Sequence, residues 1–224
     1  VPQDESESVT IAKAVDGLQS PDFDVMLQNV IVLRKLLSRP QNPPAQEIFD
    51  LAAVPVLTDM LADDAHAKLQ LEALWALTNI ASTNLTRYLT INDPPLCRNI
   101  IPQAVRLLQS PSSDVAEQAV WCIGNIAGDN PQFRDSILTI DDILPSLVRL
   151  LQGGPAVTLV RNVVWVMSNL VRGKPRVAWG HAAPFIPVLA QLIGASTDEE
   201  VLTDAAWALS YISDGEDERG AAVV

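Results

Sequence analysis

EQAVWCIGNIAGDN, residues 117–130, reads as one amphipathic helix that carries an indole, Trp121, and an amide, Asn125, four positions apart. Residues at that spacing lie nearly above one another on a helix, so the two side chains share a face. The arrangement recurs. LEALWALTN, LVRNVVWVMSN and TDAAWALSY place Trp75, Trp165 and Trp207 at the same point of a repeating unit, and the four tryptophans are separated by 46, 44 and 42 residues. Asn79 and Asn169 follow their tryptophans at the same distance, and Tyr211 takes that place after Trp207. Pro55, Pro102, Pro145 and Pro187, in VPVLTDML, IPQAVRLL, LPSLVRLL and IPVLAQLI, precede the tryptophans by 20, 19, 20 and 20 residues. A weaker copy, LQNVIVLRKLLS at 27–38, aligns without gaps on LEALWALTNIAS at 71–82 and puts Ile31 and Lys35 where Trp75 and Asn79 stand.

Within each unit the proline suits the first turn of a helix, and apolar residues then follow at three- and four-residue spacing. The turns SPSSD, QGGPAV and GASTDE come next, and Asp114 to Glu117 and Thr197 to Glu200 have the spacing of a capping box opening a second, longer helix. No segment alternates as a strand would. A helical period of 42 to 47 residues lies in the armadillo/HEAT range, where each unit buries its apolar face on its neighbours. The expected fold is all-α, a right-handed α-solenoid of armadillo repeats in a single domain over residues 1–224. Its repeats fall at 13–52, 53–97, 98–140, 141–181 and 182–218, the last incomplete or uncapped, with the longer helices along the concave side.

Composition narrows the partner. The chain has 224 residues, 48% of them hydrophobic, enough for a sizeable core, and a net charge of -12 that repels nucleic-acid phosphates and anionic lipid. A basic partner is favoured. Cys97 and Cys122 are too few for a disulfide framework and fit a reducing intracellular compartment; VPQDESES at the start lacks the basic and apolar regions of a signal peptide. The apolar stretches are broken well short of a membrane span, so a soluble protein is expected.

Stacked repeats would line up the pairs Trp75/Asn79, Trp121/Asn125 and Trp165/Asn169. Helices pack about 8 to 10 Å apart and an extended peptide advances about 3.3 Å per residue, so each repeat would meet two or three ligand residues. An asparagine amide can bond both the C=O and the N–H of a ligand's backbone and thus reads main chain, not sequence. The indoles leave slots suited to an alkyl stem ending in a cation, which selects lysine and arginine. Glu117, Trp121 and Asn125 form one stripe, and Asp129, near the carbonyl end of its helix, is the best salt-bridge candidate for a lysine. Asp204, Asp214 and the EDE run at 216–218 extend the negative field, while Arg161 and Arg172 oppose it around Trp165. The tightest slots are therefore expected between Trp75 and Trp121. Trp179 stands outside the series and is read as core.

WALTNIAS, EQAVWCIGNIAGD, RNVVWVMSNLVRGKP and DAAWALSYISDG closely resemble the signal-binding helices of importin-α, the adaptor family that carries cargo with basic nuclear localisation signals into the nucleus, and the likeness runs from about residue 13 to 218. The resemblance implies a groove for Lys/Arg-rich signals on Trp75, Asn79, Trp121, Asn125, Trp165 and Asn169, with Gln118, Asp129, Asp204, Trp207 and Tyr211 at further groove positions. It implies Asp129 as partner of the key lysine, no cofactor, and shuttling between cytoplasm and nucleus. Importin-β is the expected partner of the full-length protein through a basic N-terminal arm. A chain that opens on VPQDESES and stops at ERGAAVV inside the next repeat is expected to be a fragment without that arm or the family's minor site. Thr83 stands where the family usually has glycine, leaving Thr86 or Tyr88 to complete the lysine pocket.

Two other classes compete. For an enzyme, His66 and His181 lie in different repeats with no nucleophile or metal-ligand partner at useful spacing, and GNIAG and GGP are not phosphate loops. An armadillo scaffold of the β-catenin type would bind another extended partner in a basic groove, and here the sign is acidic. The asparagines have a structural reading too: they could brace neighbouring helices.

Overall fold

A computed structural model of the chain describes residues 5–83, 86–90, 99–214 and 217–223; Cys97, Glu216 and the repeat boundary at 97 lie outside them. The described elements are helices. By Cα packing the chain divides into two compact units, Val1–Cys122 and Ile123–Val224.

The first unit holds α1 (Glu5–Gly17), α2 (Phe23–Leu37), α3 (Ala45–Asp50), α4 (Ala53–Met60), α5 (Ala67–Ala81), α6 (Thr86–Leu89), α7 (Ile101–Leu107) and the start of α8 (Ser113–Asp129). Its long helices α2 and α5 lie side by side, with α1 against α2 and α4 against α5. Val30 and Leu33 of α2, Leu57 of α4, and Ala73, Leu74, Leu77 and Ile80 of α5 are sealed from solvent, at the three- and four-residue spacing of an apolar stripe. Asp22 caps α2, accepting from the backbone N–H of Asp24 and Val25.

The second unit continues with α9 (Pro131–Leu138), α10 (Ile143–Leu150), α11 (Val157–Val171), α12 (Trp179–Ala182), α13 (Phe185–Ala195), α14 (Glu199–Ser213) and α15 (Asp217–Ala221). Here α11 and α14 are the long neighbours, α13 packs on α14, and α9 and α10 on α11. Val163, Val164, Met167 and Leu170 meet a core completed by Leu189, Val201, Ala205 and Ala208.

The repeat prolines stand in the first turns of α4, α7, α10 and α13, where a missing N–H removes no helical bond. The caps depart from the sequence reading. Asp114 lies inside the first turn of α8, and it is Asp198 rather than Thr197 that caps α14, its carboxylate accepting from Val201 N–H at 3.2 Å. An ionised carboxylate at a helix N-terminus gains from the dipole as well as the hydrogen bond, and a threonine hydroxyl gains only the second.

Candidate functional site

Trp75, Trp121 and Trp165 each sit on a long helix between two buried residues, and Trp207 precedes buried Ala208, yet each ring is kept at least partly outside the core. Trp75, Trp121 and Trp207 are 38%, 51% and 54% exposed, and Trp165 is half-buried. Large apolar surface left in water at one position of successive repeats has no packing explanation and marks a binding surface.

In the first unit, Asn79 Nδ2 donates to Ser38 Oγ at 2.9 Å, so one of its two N–H donors is used internally. Gln118 Nε2 donates to Thr78 Oγ1 at 2.9 Å. Trp75 has a cation on its face already: Arg34 Cζ stands 4.5 Å from the ring centroid. The pocket expected near residue 83 is not completed by Thr86, whose hydroxyl is buried within 2.8 Å of the Ala81 and Thr83 carbonyls. Tyr88 lays its ring on buried Phe49, with centroids 4.4 Å apart.

In the second unit, Asn125 is half-buried, and exposed Asp129 ends α8. Partial loss of water holds the Asp129 carboxyl above the usual aspartate range. Arg172 Nη2 donates to Gly128 O at 3.2 Å, so one carbonyl at this helix end has an internal cationic partner. Asn169 takes the bracing role: it is 5% exposed and its Nδ2 donates to Gly124 O at 3.2 Å. Arg161, expected to oppose the negative field, is held by carboxylates instead. Its Nε and Nη2 donate to Asp198 at 3.0 and 2.6 Å, and its Nη1 to Glu200 at 2.7 Å. Asp204 is half-buried, and desolvation followed by the charge of Glu200 raises its carboxyl. Trp207 and Tyr211 stack along α14 with centroids 5.8 Å apart and planes at 21°. Arg176 pairs with Asp214 at 3.3 Å.

Trp179 is a correction. It is exposed, not core, and the Arg219 guanidinium lies 5.4 Å from its ring centroid. The helix that carries it has only four residues, and the one it buries is Ala182.

The sequence reading missed Gly124 and Gly128. A Cβ at Gly124 would lie 2.0 Å from Trp165 Cζ3, and one at Gly128 would lie 3.2 Å from Asn169 Nδ2. The two glycines of GNIAG are therefore seats for the indole and amide of the following repeat. The available signal was their four-residue spacing, the same as that of the pair they receive. Arg34 and Glu72 were missed because the copy at 27–38 lacks a tryptophan and drew no attention to its neighbours.

Helices recurring on one beat, with an indole kept outside the core at one point of four successive repeats, define an armadillo-repeat protein, and the Armadillo/beta-catenin-like repeat matches residues 41–82, 96–128 and 182–214. Among solved structures, a designed armadillo repeat protein in complex with the peptide (KR)4 aligns with a TM-score of 0.77 at 26% identity, covering 95% of this chain and 86% of that one. Computationally designed armadillo repeat proteins for modular peptide recognition align with a TM-score of 0.78 at 24% identity, covering 95% and 86%. The chain belongs to the importin-α family. It is 41% identical over 215 residues to importin subunit alpha-6 of Arabidopsis thaliana, covering 96% of this chain and 39% of that protein. To importin subunit alpha-1a of Oryza sativa subsp. japonica it is 42% identical over 210 residues, covering 94% and 39%. The chain thus spans about two-fifths of the length of these curated relatives. Cys122, the one described cysteine, is sealed in the core, where burial pushes its thiol up to about 12 despite the Thr78 hydrogen bond.

Proposed function

We propose that the chain binds Lys/Arg-rich segments of cargo proteins as extended peptides and serves as the cargo-recognition part of a nuclear import adaptor. The reading is supported above all by three exposed indoles at one repeat position beside carboxylates, which together suit an alkyl stem that ends in a cation. Trp75, Asn79, Gln118 and Trp121 serve the peptide in the first unit. Asn125, Asp129, Trp165, Asn169, Asp204, Trp207 and Tyr211 serve it in the second, with Asp129 as the main lysine partner. Asn169 contributes by fixing Trp165 over Gly124, since its amide nitrogen is turned inward. The designed relative bound to (KR)4 makes the same ligand chemistry reasonable on this scaffold. In the whole protein, importin-β would be engaged through an N-terminal arm and the adaptor would shuttle between cytoplasm and nucleus.

Calorimetry with a peptide of about five consecutive Lys/Arg, against the same peptide with alanines, is expected to show binding for the first alone. Asp129→Lys should weaken it about tenfold or more, the value of roughly 1.4 kcal/mol, while Asp63→Lys, which disturbs only the His66 contact and the Ala65 N–H bond beside it, changes it little. Equal losses would assign binding to bulk charge.

Acid should weaken the same interaction early. The Asp129 and Asp204 carboxyls are raised in the folded protein, so they take up protons at a higher pH than a free aspartate at about 3.9. A basic peptide needs both ionised, hence its affinity falls as pH drops through those raised values, and binding there releases protons. In the free protein the sign is opposite: their contribution to stability is fully present below the unfolded pKa and is lost as pH rises through the raised one. Isotherms between neutral and mildly acidic pH check this, and Asp129→Asn with Asp204→Asn should flatten the profile.

A further inference from the structure

We infer that Arg34 is an internal occupant of the peptide-binding surface: it seals one face of Trp75 and so ends, within the first unit, the series of indole faces open to a ligand's cation. This rests on the peptide-binding reading above and says which positions of a ligand are selected. Arg34 lies on α2, beside Lys35, in the repeat copy that has no tryptophan. Its Cζ is 4.5 Å from the Trp75 centroid, and its Nε donates to Glu72 Oε2 at 2.7 Å. Glu72, three positions before Trp75 on α5, is 2% exposed, and its Oε1 takes Lys68 Nζ at 2.7 Å. Burial pushes the Glu72 carboxyl up, but the hydrogen bonds and charges of Arg34 and Lys68 outweigh that and hold it below the usual glutamate range, so it is ionised at neutral pH.

An indole face backed by a buried carboxylate is what a peptide lysine would seek, and here the protein's own guanidinium fills it. Arg34 is attached to the fold and has no association entropy to lose, whereas an incoming side chain must displace it and also be ordered. A ligand cation therefore gains little on this side of Trp75. The remaining exposure of that ring serves the other side, where the sequence reading set its tightest slot. The repeat copy at 27–38 then has a function of its own: it supplies a built-in ligand in place of a tryptophan.

The test compares the unchanged protein, Arg34→Ala, and Arg34→Ala with Glu72→Gln, using a basic peptide and versions lengthened by two lysines at either end. Lengthening at one end should add less than twofold in affinity for the unchanged protein and roughly tenfold for Arg34→Ala, the order of one cation–π contact beside a carboxylate. The double variant guards against misfolding by a stranded buried charge, and should gain roughly threefold because the ring is open but the carboxylate is gone. Equal gains in all three proteins would overturn the inference. So would loss of all binding in Arg34→Ala with its helical circular dichroism intact, since Arg34 would then be a strut for Trp75. If the unchanged protein binds no basic peptide, the proposed function fails, and Arg34 is judged on the free protein. N-acetyl-lysine amide should shift the Trp75 indole N–H resonance in Arg34→Ala and leave it in place in the unchanged protein; a shift in both or in neither would count against the assignment.

Discussion

Arg134→Ala is expected to lower the unfolding free energy by about 3 to 5 kcal/mol, the largest effect of any single truncation considered for this chain. Arg134 is 1% exposed, so its guanidinium is dry, and each part of it has an acceptor. Nη1 donates to Arg172 O at 2.5 Å and Nη2 to Pro175 O at 2.8 Å, while Nε and Nη2 reach Asp135 Oδ1 at 2.8 and 2.7 Å. The side chain thereby fastens the segment after α11 to α9, through a turn that Gly173 makes at φ 96°. Alanine strips two main-chain carbonyls of their charged donor and leaves a void, and these losses add in the same direction. Arg134→Lys should recover only part, because an ammonium cannot present a planar fork to three separated acceptors. Denaturant unfolding followed by circular dichroism gives the answer. A loss below about 1 kcal/mol would mean the carbonyls find water or other donors once the guanidinium is gone.

Gly124→Ala should cripple peptide binding in the second unit without replacing any residue that meets the peptide. The added methyl would sit 2.0 Å from Trp165 Cζ3 and 2.7 Å from Cε3, well inside contact distance, so the indole must swing away. Alanine's better helix propensity returns about 1 kcal/mol, but overpacking against a rigid ring costs about 1 to 3, and the net stability change is small. Affinity should suffer more. With Trp165 displaced and Asn169 no longer held on Gly124 O, about 2 kcal/mol of binding is expected to go, roughly 30-fold. Gly128→Ala is the control: its Cβ would stand 3.2 Å from Asn169 Nδ2, a distance the amide can relax by a few tenths of an ångström, so the loss should be slight. Calorimetry and tryptophan fluorescence on both variants separate the two. Like losses from the two glycines would show that helix flexibility, not the seat for the ring, sets affinity.

Several elements were legible without coordinates. Trp75, Trp121, Trp165 and Trp207 recur at one beat, and their flanking aliphatic residues declare which arc of each helix is core; the exposure of the rings follows from that pattern alone. The first-turn prolines were legible for the same reason, since a ring that removes a donor is tolerated at few places in a helix. What hydrogen-bonds to what was not legible. Asn79 and Asn169 occupy one repeat position, yet one meets Ser38 Oγ and the other Gly124 O, because the partner lies about forty residues away and differs in each repeat. Arg161 reads as a lone opposing charge until Asp198 and Glu200 arrive from the next long helix and neutralise it.

By itself the sequence determined the helical repeat, the indole series and the acidic balance, because these depend on periodicity and composition, which are properties of neighbours along the chain. Only the tertiary structure decided that Arg34 caps Trp75, that Gly124 seats Trp165, and that Arg134 is a buried clamp. Those are contacts between residues some forty positions apart, and which of several chemically able partners meets a given side chain is settled by the packing of one repeat on the next.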